Sequence, residues 1–366
     1  MSENVMMGAT MQTWHIENPA PIQPTSPGSR SQPGLISRKM SPEQIAGLLA
    51  QHGVKDMTNE LDFMHRGLRP FASGGFGSIY QGKLRSGQMV AIKYIDVLGN
   101  LEDLELGGKR CKHAAHELYT WLKCDHPGVL KALGFGLFEG FILLVSPLLQ
   151  NGCLTRQLVS SKPCAKLRFC LEITNTVEYL HGEGIVHGDI KTDNVLVSDA
   201  GHAQLVDFGN ATLANYLTLC FTRTSSVLAL SLRFAAPEIL DGTSEQYTTE
   251  SDVYALGMVC GTQPLFTVVA ESLVAYGFKT ILQIMTGKLP YAGKSDPAAV
   301  TSVFLHIHPP RPSFQDVVNN QEVGDKLWDL LLRCWSHDPK LRPTAKGVKN
   351  SLIEIAEMSG VHDGLS

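Results

Sequence analysis

The sequence predicts an α+β fold in two lobes: a small β-rich part with one helix, followed by a larger and mainly helical part. Three observations predict it. Apolar residues follow a strand-like pattern from about residue 68 to Leu148, interrupted by one helical stretch. Beyond Leu167 the apolar spacing becomes mostly helical. No segment repeats at a fixed period, so a solenoid is excluded.

Residues 1–40 are rich in Pro, Ser, Gln and Gly with few clustered aliphatics, and are expected to form a disordered tail. In Ser41-Pro42-Glu43-Gln44 a Ser N-cap precedes Pro at the first helical position, and Gln follows three residues after the cap. Ile45, Leu48 and Leu49 share one face, so residues 41–67 read as a short helical extension. Phe71–Leu84 and Gln88–Val97 read as strands around the hairpin signal Arg85-Ser86-Gly87. Residues 113–123 read as a helix, and Val129–Phe138 and Phe141–Leu148 as strands around Glu139-Gly140. Trp328, Leu331 and Leu332 have helical spacing and are expected in the core of the larger lobe.

Composition narrows the function classes. With 43% apolar and 18% charged residues, a chain of 366 residues can bury a core and is not wholly disordered. A net charge of -4 gives no electrostatic basis for nucleic acid or an anionic membrane as the principal partner. The eight cysteines stand singly, as free thiols in a reducing compartment would. No apolar run approaches the roughly 18 residues of a membrane span. The expectation is a monomeric cytoplasmic protein, with the nucleus as the other compartment compatible with these features.

The chemistry is concentrated in a few short runs. Ser73-Gly74-Gly75-Phe76-Gly77-Ser78-Ile79 is a glycine-rich loop between strands, where backbone N–H groups can approach a phosphate; a tight hairpin in any β-protein looks similar. The next strand ends in Val90-Ala91-Ile92-Lys93, a lysine among apolar residues whose burial requires an anion. Glu117 on the following helix is the natural partner, although a lone helix Glu is as often a solvated one. The sharper signal is His187-Gly188-Asp189-Ile190-Lys191-Thr192-Asp193-Asn194, followed by Leu205-Val206-Asp207-Phe208-Gly209. Asp207 and Asn194 are hard oxygen ligands of the kind Mg²⁺ accepts beside substrate phosphates. Asp189 is then available to orient an attacking hydroxyl and accept its proton. His113 and His116, three apart with no further ligands, read as helix-surface histidines rather than a metal pair.

These runs resemble the signature set of the eukaryotic protein kinases over residues from about 68 to 357. The resemblance implies a small N-lobe over 68–147, a C-lobe over 150–357 and a short tail over 358–366. It further implies ATP and Mg²⁺ as cofactors and protein substrates as partners. Lys93 would meet the α/β-phosphates and Glu117, Asp189 would be the catalytic base, Lys191 would contact the γ-phosphate, and Asn194 and Asp207 would hold the metal. The nucleotide site would also take in Ala72, Gly74, Gly77, Ile79, Ala91, Pro147, Leu149 and Leu196. Ser251-Asp252-Val253-Tyr254-Ala255-Leu256-Gly257 resembles the start of the central helix, whose Asp supports the catalytic loop. Cys334-Trp335 and Arg342-Pro343 resemble the closing motif of tyrosine-kinase-like and tyrosine kinases, with Arg342 paired to Glu238 of Ala236-Pro237-Glu238.

Several positions depart from the family pattern. Ala72 replaces the first loop glycine, a change expected to weaken ATP binding modestly at most. Gly188 stands where many kinases have Arg, so a loop phosphate would lack its cation, and Thr218, Thr222, Thr224, Ser225 and Ser226 are not expected to be obligatory switches. Ser146 falls at the gatekeeper position, Pro147 offers adenine a carbonyl, and Leu149 offers an N–H. Removing residues 259–279 would join Met258 to Thr280 in a continuous helix resembling the family's, and Val-Cys is compatible with an intron start. A translated intron is therefore the expected origin of this segment, against a genuine surface insertion. Lys191 and Ser231 favour serine/threonine acceptors, while the closing motif keeps dual specificity open. An active kinase is expected over a pseudokinase scaffold, which only the interrupted helix favours. A small-molecule phosphotransferase fits less well, because Ser231–Glu238 resembles a peptide-positioning loop.

Overall fold

The structure, a computed structural model, describes residues 34–63, 69–74, 77–95, 104–158, 161–214, 219–221, 234–258, 284–285, 291, 293–312, 314 and 320–360. The described residues form one compact unit.

Helix α1, Pro42–Gln51, starts where the sequence predicts. The Gln44 N–H donates to Ser41 Oγ at 3.3 Å and the Ser41 N–H donates to Gln44 Oε1 at 2.9 Å, closing a capping box. Such a cap stabilises a helix end by about 1 kcal/mol. The expected disordered tail must be shortened. Gly34–Ile36 forms strand β1, which pairs in parallel with strand Leu219–Phe221, and Ile36 is fully buried.

The smaller lobe is built on a five-stranded antiparallel sheet. Its strands are β2 Ala72–Gly74, β3 Gly77–Lys83, β4 Met89–Tyr94, β5 Gly134–Phe138 and β6 Phe141–Pro147, in the order β2-β3-β4-β6-β5. Alternation along β4 explains its two faces. Val90 and Ile92 point into a cluster with Met57, Leu61, Leu84, Leu143 and Val145, while Ala91 and Lys93 are only partly buried. Residues 54–61 cover the first face: the Met57 N–H donates to Phe135 O at 2.7 Å, and Leu61 bridges Leu84. Strand β5 is shorter than the expected Val129–Phe138, and its turn to β6 places Glu139 and Gly140 at φ 50° and 78°.

Helix α2 runs over Leu104–Trp121, nine residues further toward the N-terminus than the periodicity predicts. Gly107-Gly108 lowers local helix propensity there, and tertiary contacts override it. Ala114, Ala115 and Leu118 of α2 are buried in one core with Ile36, Ile45 and Leu49.

The larger lobe carries α3 Leu154–Gln157, α4 Pro163–Gly182, α5 Pro237–Leu240, α6 Thr249–Gly257, α7 Asp296–Phe304, α8 Gln321–Cys334 and α9 Ala345–Met358. Every residue of α6 from Ser251 to Gly257 is buried, as an axial helix requires. Segment 259–279 lies outside the described residues, as do Thr218, Thr222, Thr224, Ser225 and Ser226; Ile284 and Met285 are helical and fully buried. Of the expected core residues, Leu331 is fully buried, and Trp328 and Leu332 pack against the core partly exposed.

Candidate active site

Four pieces of chain meet around the sequence-predicted residues. Strand β4 supplies Lys93, α2 supplies Glu117, the stretch from Ile185–Val186 to Val195–Val197 supplies Asp189, Lys191 and Asn194, and the turn after Ala203–Leu205 supplies Asp207. The two three-residue strands of the larger lobe pair antiparallel, Val195 with Leu205, which sets Asn194 and Asp207 at adjacent strand ends.

Lys93 Nζ donates to Glu117 Oε1 at 2.7 Å and to Asp207 Oδ1 at 2.8 Å, so one cation ties both lobes together. Burial works against the ammonium, but Asp207 and Glu117 outweigh it and hold Lys93 above the ordinary lysine range. Burial likewise opposes the Asp207 charge, yet Lys93 and Lys191 keep its carboxyl below the usual range. Glu117 is pushed up by burial, to about 7, because Lys93 compensates it only in part while Asp207 adds repulsion. Asp207 is the partner that the larger lobe contributes to the shared cation. Its backbone has φ 69°, a left-handed conformation that costs a non-glycine residue about 1–2 kcal/mol and is maintained here by these contacts.

Asp189 forms the second half of the site. Lys191 Nζ donates to its Oδ2 at 2.5 Å, and Asn194 Nδ2 donates to its backbone oxygen and to Oδ2, each at 2.9 Å. Asn194 thus spends its N–H₂ group on Asp189, which leaves the amide oxygen as its metal-type donor. The loop backbone is held from below by Asp252 of α6. That carboxylate accepts the His187 N–H at 2.8 Å, the Gly188 N–H at 2.9 Å and a contact from His181 Nε2 at 3.0 Å. His187 is buried on Phe208, with its Nε2 3.2 Å from Val206 O and its Nδ1 accepting the Asp189 N–H at 3.2 Å. Burial lowers its pKa, in keeping with a neutral ring carrying its proton on Nε2.

The remaining nucleotide-site candidates occupy defined positions. Ile79 is in register with Lys93 and with Ala72, Ala91 pairs with Ser146, Pro147 pairs with Val90, and Gly74 pairs with Gly77 at the end of the β2–β3 hairpin. Leu149 packs partly exposed on the core, and Leu196 bridges Cys153. Ser146 is buried, and its hydroxyl donates to the Pro147 carbonyl at 3.5 Å. Gly75 and Phe76 lie outside the described residues.

Gly188 has φ 74°, and a Cβ there would lie 2.7 Å from the Tyr247 ring and 2.9 Å from Asn210 O. A left-handed backbone packed against an aromatic ring is why glycine, and not arginine, fits at this point. Sequence reasoning did not single out Tyr247. It also missed Thr155 of α3, whose hydroxyl donates to Asp193 Oδ1 at 2.7 Å and sits 2.9 Å from Thr192 Oγ1, fixing the turn that carries Asn194. No local motif announces either residue, since their partners are distant along the chain.

Outside the pocket, the Arg342 side chain is fully buried and gives a two-pronged pair to Glu238, Nη1 to Oε1 at 2.6 Å and Nη2 to Oε2 at 2.8 Å. The pair ties the end of the 207–238 segment to the last turn before α9.

Comparison with known proteins accords with this arrangement. The family profile of the protein kinase domain matches residues 68–352. The chain is 26% identical over 281 residues to serine/threonine-protein kinase 12 of Arabidopsis thaliana, covering 75% of this chain and 53% of that protein. It is 26% identical over 311 residues to serine/threonine-protein kinase PkaA of Streptomyces coelicolor, covering 80% of this chain and 50% of that protein. The chain therefore belongs to the protein kinase domain family, and it spans about half the length of these curated relatives.

Proposed function

We propose that this chain is a serine/threonine protein kinase that moves the γ-phosphoryl group of ATP onto protein hydroxyls. The observation that carries the reading is the placement of Lys93 between Glu117 and Asp207, 2.7 and 2.8 Å away. A pseudokinase would have no need of that intact set.

The residues divide the chemistry among them. Lys93 neutralises the α/β-phosphates, with Glu117 holding its position. Ile79, Ala91 and Leu196 sandwich the base together with Ala72, while the Pro147 carbonyl and the Leu149 N–H read its edge. Gly74 and Gly77 let the hairpin backbone approach the phosphates. The donor set of a carboxylate at Asp207 and an amide oxygen at Asn194 fits Mg²⁺, which these two residues would hold and which would supply positive charge against the phosphate oxygens. Asp189 orients the acceptor hydroxyl and takes its proton as the new O–P bond forms. The bond to the bridging oxygen breaks, and ADP leaves with those electrons. Lys191, already within reach of Asp189, donates to the γ-phosphate oxygens as charge shifts across them.

Further proposals follow the same line. The kinase domain extends over 68–357, the protein acts as a monomer in the cytoplasm, and segment 259–279 derives from a translated intron. No described helix is long and apolar enough to cross a membrane. Sequencing cDNA across Met258 and Thr280 tests the last point, and a major transcript that keeps those codons overturns it.

The activity is tested by incubating the protein with γ-labelled ATP, Mg²⁺ and a degenerate peptide pool, followed by phosphoamino-acid analysis. Phosphoserine and phosphothreonine are expected, with the rate lowered about 10²–10⁴-fold by Asp189→Asn. Phosphotyrosine alone would refute the acceptor class. Equal incorporation by the wild type and Asp189→Asn would refute the site.

A further inference from the structure

Residues 34–51 precede the matched family region, and no role described so far depends on them. They nevertheless contact two elements that lead into the site, helix α2 and the strand Leu219–Phe221. Gly34, Leu35 and Ile36 pair in parallel with Leu219, Cys220 and Phe221, inside the segment that runs from Asp207 to Glu238. Ile36 is fully buried, so the strand is seated in the core and does not merely lie on the surface.

The chain then crosses α2. A Cβ at Gly108 would lie 1.9 Å from the Arg38 carbonyl oxygen and 2.9 Å from its carbon, so the crossing backbone rests directly on that glycine. The same two elements, placed together by this contact, also act on each other's charges. Lys112 is lowered by burial and then by Arg38, and Cys111 is raised by burial with a contribution from Glu43. Ile45 and Leu49 of α1 are fully buried in the core that contains Ala115. Gly108, Cys111, Lys112 and Ala115 have the i, i+3, i+4, i+7 spacing of one helix stripe.

Glu117 lies on the other side. It follows Gly108 by nine positions, about two and a half turns at about 3.6 residues per turn, and so points away from that stripe. Support applied at Gly108 and Ala115 is therefore directed along the line that brings Glu117 to Lys93.

We propose that residues 34–51 are a built-in positioning element, which holds α2 with Glu117 against Lys93 and anchors strand 219–221 to the same support. The proposal rests on the kinase reading and adds to it. The site is kept assembled from within the chain, by packing rather than by a loop phosphate, and this suits a protein with Gly188 beside its catalytic Asp.

Two neighbouring glycines provide the test. Gly107→Ala and Gly108→Ala raise helix propensity alike, but a Cβ at Gly107 meets nothing within 4 Å while one at Gly108 strikes the Arg38 backbone. Full-length variants are compared by peptide phosphorylation and by amide hydrogen exchange without nucleotide, after a cooperative melt establishes that each is folded. In Gly108→Ala, kcat is expected to fall at least tenfold relative to Gly107→Ala, with KM for the peptide pool within twofold, and exchange is expected to quicken across 34–40 and 113–118. An equal kcat in the two variants, or a higher one in Gly108→Ala, overturns the proposal. If no form phosphorylates, including the wild type, the kinase reading falls and exchange alone decides: faster exchange near Glu117 supports the positioning role, and equal exchange refutes it. Should Gly108→Ala fail to fold, Ile36→Asp is put through the same two measurements and judged by the same outcomes.

Discussion

Gly188 illustrates how a single residue can rule out a familiar device. Its φ of 74° and the Tyr247 ring behind it leave no room for a side chain, so Gly188→Arg is expected to damage the protein rather than install phosphate control. The backbone alone would cost about 1–2 kcal/mol, and kcat should drop because Asp189 is the next residue; a urea melt and a rate measurement check both. His116 makes a different prediction. Burial, with His113 and Lys112, lowers its pKa from 6.5 to about 4, so between those values the unfolded chain binds a proton that the folded chain refuses. Stability from this group is full above 6.5 and is lost as pH falls toward 4. Glu117 acts with the opposite sign over 4.5 to 7, because its folded pKa is the higher one. The wild type therefore masks the effect, whereas the stability of His116→Gln relative to wild type should rise by about 2 kcal/mol on going from pH 7.5 to pH 5. Urea midpoints at the two pH values measure this.

At the scale of elements, the parts most legible in the sequence are those where chemistry demands particular side chains at set spacings. Lys93, Glu117, Asp189, Asn194 and Asp207 come together as a group, and Asp252 and Arg342 reach the partners expected of them. Capping also reads directly, since Ser41 with Gln44 carries its meaning within four residues. The start of α2 was hidden because Gly107-Gly108 disfavours helix locally, and only contact with Arg38 explains the glycine at 108. Strand β1 was hidden for a related reason: three residues carry little periodicity, and the partner strand, Leu219–Phe221, is distant along the chain. Where an element depends on a distant buried pair, removal should be severe. Arg342→Ala leaves Glu238 uncompensated at a site where the Arg342 side chain has no exposure, and a loss of about 3–5 kcal/mol is expected by chemical denaturation.

For the molecule as a whole, the boundary of homology and the boundary of the folded unit differ. The family match starts at residue 68, but Ile36, Ile45, Leu49, Met57 and Leu61 are each 2% exposed or less. Burying side chains of this size contributes about 1.5–3 kcal/mol each, so together they rival the roughly 5–15 kcal/mol that separates folded from unfolded domains. A fragment of residues 68–366 is therefore expected to aggregate or bind a hydrophobic dye, while residues 34–366 melt cooperatively; calorimetry and dye fluorescence distinguish the two. Grafting the catalytic core into another protein, or trimming it for crystallisation by its similarity to relatives, would cut through the interior of this one. The heritable module and the thermodynamic module are different lengths of chain, and a designer must respect the longer.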